Sequence, residues 1–122
     1  MVVRDASMLP ALRPGDRLLV DRRAYRRGPP RVGEIVVLVD PEEPSRWLVK
    51  RIAAVGPGAP PASVTEAPGA PLLPPLPVGT VFVLSDAPGP TRDSRRFGPV
   101  SVGRLIGRVY RRYFPSDRRT DL

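Results

Sequence analysis

The sequence predicts a mainly β fold: a single compact domain of short antiparallel strands joined by long proline-rich loops. Three observations predict it. The 122 residues hold 18 prolines and 11 glycines, which break helices and mark turns. Helical periodicity is absent over any useful length. The runs Glu34-Ile35-Val36-Val37-Leu38-Val39-Asp40 and Thr80-Val81-Phe82-Val83-Leu84 have the β-branched and aromatic composition of strands.

Each element follows in order. Residues 7–12 read as a turn or a single helical turn, because Pro10 and Pro14 forbid a long helix. Arg13-Pro14-Gly15-Asp16 is a turn signal, and Arg17 to Asp21 reads as a strand. Arg22 to Val32 is basic, contains proline and glycine, and reads as a loop. Glu34 to Asp40 is a strand, Pro41 to Ser45 a turn, and Trp47 to Val55 the next strand. Gly56 to Gly79 carries eight of the 18 prolines; no helix or central strand is expected at that density, so it reads as an exposed loop. Thr80 to Leu84 is a strand and Ser85 to Pro99 a long loop. Arg104 to Phe114 reads as the final strand, its alternation marked imperfectly by Leu105, Gly107, Val109 and Tyr113. The polar tail 115–122 is expected to fray. At this length residues 1–122 form one domain.

Composition narrows the chemistry. Without cysteine or histidine there are no disulfides, no Ser-His-Asp triad and no thiolate or imidazole zinc site, and no cofactor is expected. The net charge of +8 allows contact with nucleic acid or an anionic membrane. The arginines, however, are scattered in pairs such as Arg22-Arg23 and Arg118-Arg119. The three phenylalanines are not interleaved with them as a base-stacking surface requires, so no nucleic acid is expected as a partner. No apolar run approaches the ~20 residues that span a bilayer. Arg4 and Asp5 stand where the apolar part of a secretory signal would have to begin.

Among 20 basic side chains there is a single lysine, Lys50. Arginine cannot be deprotonated in a protein, whereas a desolvated lysine can lose its proton and serve as a base. Alternation along the strand puts Leu48, Lys50, Ile52 and Ala54 on one face, where aliphatic neighbours would desolvate the amine. A lysine base needs a nucleophile, and Ser7, ahead of a proline-restricted turn, is the candidate.

Three blocks in order resemble the type I signal peptidase family. Ser7-Met8-Leu9-Pro10-Ala11-Leu12 resembles its Ser-Met-x-Pro-Thr-Leu block, and Val49-Lys50-Arg51-Ile52 its Lys-Arg block. Residues 85–98, from Ser85-Asp86-Ala87 through Thr91-Arg92-Asp93-Ser94-Arg95, resemble its Gly-Asp-Asn-x-x-x-Ser-x-Asp-Ser-Arg block. Gly33-Glu34-Ile35-Val36-Val37 is similar to its Gly-Asp-Ile-Val-Val strand.

The resemblance implies a serine endopeptidase that removes signal or leader peptides from precursor proteins through an acyl-enzyme. Ser7 would be the nucleophile and Lys50 the general base. Thr91 would be the hydroxyl that orients the lysine, Asp93 and Arg95 a supporting ion pair, and Asp86 and Ser94 loop-shaping residues. The backbone N–H of Ser7 would be one oxyanion donor.

Four positions depart from the pattern. Ala11 replaces threonine, Ser85 glycine and Ala87 asparagine. Asp5 stands two residues before the nucleophile, where the family places an oxyanion-holding hydroxyl, and an ionised carboxylate cannot donate.

The short form resembles the branch of nickel-type superoxide dismutase maturation proteases, a likeness that extends to Gly107 through Pro115. It implies a precursor or leader peptide as substrate, while the positive charge allows peripheral contact with an anionic membrane. The location would be cytoplasmic if the chain is complete and membrane-associated if an anchor precedes it. Two other readings compete. One is a LexA-like self-cleaving regulator, against which stands the short stretch before Ser7. The other is a non-catalytic basic module binding nucleic acid or anionic lipid.

Overall fold

The most apolar run becomes the middle of the sheet. In the computed structural model, which describes residues 1–89 and 91–122, Ile35–Val39 forms strand β2, and its first four residues are buried on both faces. Ile35 and Val37 face one cluster with Val3, Met8, Leu12, Leu18 and Val109. Val36 and Leu38 face another with Leu48, Ile52, Val81, Val83 and Val100. A strand covered on both faces reads as a continuous apolar run rather than an alternating one, which is the pattern of residues 35–39.

Strands β1 (Arg17–Asp21), β2, β3 (Trp47–Val55), β4 (Thr80–Leu84), β5 (Val100–Ser101) and β6 (Leu105–Phe114) pair in the order β1-β6-β2-β3-β4-β5, all antiparallel. A seventh, β7 (Thr120–Asp121), pairs with β6. The fold is mainly β, as the sequence predicts, and β1, β3 and β4 match their expected bounds. Among the described residues no helix is long and apolar enough to cross a membrane.

Several expectations are corrected. The segments read as loops hold three single-turn helices: α1 (Ala24–Arg27), α2 (Ala62–Thr65) and α3 (Ser94–Phe97). Four residues are too few to show a helical period. Pro61 stands just before α2, where a missing N–H is harmless, and Val64 packs beside Ala54, Leu76 and Phe82. The proline-rich loop therefore folds back onto the sheet, Leu76 bridging Gly58. The strand starting at Arg104 starts at Leu105, and it is not the last. Its alternation fails because Val20 pairs Val109 while Leu19 pairs Arg111, and Leu18 pairs Arg112 while Arg17 pairs Phe114. Tyr110 and Tyr113 are thus extra residues at two bulges, and each switches which side chains face inward. The tail does not fray: Arg118 reaches the buried Asp16 at 2.5 Å, and β7 closes on β6.

Candidate active site

The chain before β1 runs back along it, with the Val3 N–H donating to the Asp16 carbonyl at 2.8 Å. It then turns at residues 6–12, where Leu9 N–H donates to the Ala6 carbonyl and Leu12 N–H to that of Met8. Met8 and Leu12 fix this turn by inserting into the core, each burial worth about 1.5–3 kcal/mol. Ser7, beside Met8, is left half-buried at the rim. A second tie comes from the far side of the sheet: Ala87 N–H donates to the Ser7 carbonyl at 2.9 Å. The segment after β4 is thereby tied to the turn carrying Ser7.

Lys50 lies on β3 opposite Val36, in the buried row with Leu48 and Ile52, and is only 3% exposed. Its Nζ donates to Ser85 Oγ at 2.9 Å. Ser85 Oγ lies 2.8 Å from Thr91 Oγ1, which lies 3.0 Å from Asp93 Oδ2. Asp93 is fully buried. Its Oδ1 accepts the Arg95 N–H (3.0 Å) and Nε–H (3.1 Å), and its Oδ2 accepts Arg95 Nη2 (2.8 Å) and the Ser85 N–H (3.1 Å). Asp93 also caps α3, so one carboxylate starts the helix and anchors the relay. Ser94 Oγ, buried behind it, accepts the Val83 N–H at 2.9 Å and ties α3 to β4. On the opposite face of β3, Arg51 grips Asp86 with Nε at 2.9 Å and Nη2 at 2.8 Å.

Ser7 and Lys50 line the same two adjoining clefts, of about 450 and 580 Å³. Met8, Leu48 and Val49 line the first; Leu9, Trp47 and Ala87 line the second. Among the described residues no hydrogen bond joins Ser7 to Lys50; they share a space rather than a bond. β4 pairs with β3 only from Arg51 onward, so Trp47–Lys50 has β2 on one side and the clefts on the other.

Burial and nearby charge act on Lys50 in opposite senses. Burial lowers the Lys50 pKa below its ordinary 10.5, opposed by the nearby Asp5 and Asp93 carboxylates. Burial pushes the Asp93 carboxyl up, but bonds from Arg95, Ser85 and Thr91 outweigh it and hold the group below the usual carboxylate range. Asp5 behaves alike: partial burial raises it, and Ser7, Lys50 and Arg46 pull it lower. Asp5 Oδ1 accepts the Ser7 N–H at 3.0 Å, so the expected oxyanion donor is engaged at rest.

The structure thus brings Ser7, Lys50, Thr91, Asp93 and Arg95 around one site, with one rearrangement. Among the described residues no hydrogen bond joins Thr91 to Lys50; Ser85, which the sequence reading did not single out as a site residue, stands between them. The available signal was a hydroxyl at a glycine position directly after β4. Pro90, in the same block, lies outside the described residues. Among the described residues no group of three or more His, Cys, Asp or Glu side chains is arranged to hold a metal.

Comparison with known proteins converges on one family. The family described as signal peptidase, peptidase S26, matches over residues 1–60. The mitochondrial ATP-independent inner membrane protease subunit 1b of Arabidopsis thaliana is 37% identical over 119 residues, 89% of this chain and 66% of that protein. A probable signal peptidase I-1 of Synechocystis sp. is 32% identical over 140 residues, 92% of this chain and 69% of that protein. The mitochondrial inner membrane protease subunit 2 of Schizosaccharomyces pombe is 33% identical over 124 residues, 95% of this chain and 64% of that protein. The chain spans about two thirds of the length of these curated relatives.

Proposed function

The chain belongs to the signal peptidase family, peptidase S26, and from that premise we propose that it is a serine endopeptidase removing signal or leader peptides from precursor proteins, with Ser7 as nucleophile and Lys50 as general base. The observation that carries the reading is a solitary buried lysine of lowered pKa on the wall of the cleft that also holds Ser7.

The substrate adds as an extended strand along the free edge of Trp47–Lys50, its side chains alternating into the two clefts. Neutral Lys50 takes the Ser7 hydroxyl proton as Oγ attacks the scissile carbonyl. The tetrahedral oxyanion forms beside the Ser7 N–H, which Asp5 releases to receive it. The lysine ammonium then protonates the leaving amine, the C–N bond breaks, and an ester to Ser7 remains. Water attacks that ester with Lys50 again as base, freeing the acid and restoring both groups.

The expected outcome of Ser7→Ala, Lys50→Ala or Lys50→Arg is loss of leader-peptide cleavage by at least about 10³-fold with the fold retained. Arginine keeps the charge but cannot supply the base. Full cleavage by any of the three would defeat the assignment. The narrower role of trimming a nickel-type superoxide dismutase leader is supported by the short stretch of residues 53–78 between the Lys50 and Ser85 blocks and by the segment from Gly107 to Pro115. A peripheral encounter with anionic membrane is supported by the net charge of +8.

A further inference from the structure

We propose that Ser85 is a positioning residue for the reaction: its hydroxyl extends the Thr91–Asp93 relay by one member and sets the direction in which Lys50 presents its lone pair. The inference rests on the Ser7–Lys50 reading above and deepens it.

The argument is one of proton counting. The Asp93 carboxylate is buried and ionised and can only accept. Thr91 has one hydroxyl proton, and Asp93 Oδ2 at 3.0 Å takes it. The Thr91 oxygen then faces its other neighbours, Ser85 Oγ at 2.8 Å and Arg95 Nη2 at 3.4 Å, with lone pairs. Ser85 must therefore spend its own single proton on Thr91. What remains of Ser85 toward Lys50 Nζ, at 2.9 Å, is a lone pair.

Lys50 thus donates an N–H toward Ser85 in either charge state, ammonium or amine. When the amine forms, its lone pair occupies one of the other tetrahedral positions and never the one facing Ser85. A base is useful only if its free pair meets the nucleophile's proton, and the relay removes the wrong orientation. Ser85 is itself held twice, its hydroxyl by Thr91 and its backbone N–H by Asp93 Oδ2 at 3.1 Å. A glycine at this position, as in the resembling block, supplies no hydroxyl, so Lys50 here depends on a group that the common pattern lacks.

The test compares Ser85→Ala, Ser85→Gly and Ser85→Thr using a fluorogenic peptide with alanine before the scissile bond, and maps the modified serine by mass spectrometry after treatment with a fluorophosphonate. Ser85→Ala and Ser85→Gly should lower kcat by up to about 10²-fold with KM little changed. Their rising pH–rate limb should move to lower pH, because an acceptor that favours the ammonium is gone. Ser85→Thr should restore both, and the label should sit on Ser7 throughout. An unchanged kcat and pH profile in Ser85→Ala, with Ser7→Ala and Lys50→Ala inactive, overturns the role of Ser85 and leaves the dyad intact. A label on Ser85, with Ser7→Ala still active, overturns the dyad itself, because Ser85 would then be the nucleophile.

Discussion

A lysine side chain that must act as a base has to give up the charge that makes lysine soluble, and the residues around Lys50 pull in both directions. Burial favours the amine; Asp5 and Asp93 favour the ammonium. Cleavage should therefore rise with pH up to a pKa below 10.5 and then level off, since only the amine accepts the Ser7 proton. Asp5→Ser removes one of the opposing carboxylates, so the limb should shift to lower pH. It also frees the Ser7 N–H, and kcat should rise, by as much as the ~10²-fold that one oxyanion donor is worth. A pH–rate profile of the two proteins checks both; a limb that moves to higher pH contradicts the charge argument. At this scale the resemblance of the blocks named Ser7, Lys50, Thr91, Asp93 and Arg95, and the structure places these five side by side. Ser85 was not legible as a site residue, because a substitution at a glycine position reads as a local turn preference until its hydroxyl is seen against Nζ.

Elements of five residues or more were legible, since a strand of that length shows either alternation or a continuous apolar run. Part of what escaped was set by contacts far along the chain. The inward turn of Arg112 depends on two bulges against β1, whereas α3 is a single turn started by a local Asp93 cap and is too short to show a period. The tail was misread because its anchor, Asp16, lies 102 residues from Arg118. Close approach between elements gives the next prediction. A Cβ on Gly107 of β6 would lie 2.4 Å from the Asp21 carbonyl oxygen and 2.8 Å from Val20 Cγ1, at the end of β1. Neither strand can retreat without breaking their shared register, so Gly107→Ala should cost about 1–3 kcal/mol. Urea unfolding should show a lower midpoint with the slope unchanged; an unshifted midpoint would mean that the two strands part easily.

For the molecule as a whole, the sheet brings together residues from both ends of the chain. Asp16 is buried and faces Arg118 at 2.5 Å and Arg112 at 3.7 Å, while its Oδ2 also accepts the Arg13 N–H at 2.9 Å. Asp16→Ala leaves two largely buried guanidinium groups without their carboxylate, and stability should fall by about 3–5 kcal/mol. Thermal and urea unfolding measure this; a loss under about 1 kcal/mol would show that water replaces the carboxylate readily. Arg112 has a second duty, since its Nη1 also donates to the Ala11 carbonyl at 2.9 Å, within the turn that carries Ser7. That bond has a consequence in time. A chain emerging from the ribosome amino end first exposes Ser7 early, yet one of the ties on its turn comes from Arg112, far later in the sequence. The turn that presents Ser7 therefore gains its full set of ties only after β6 has joined the sheet.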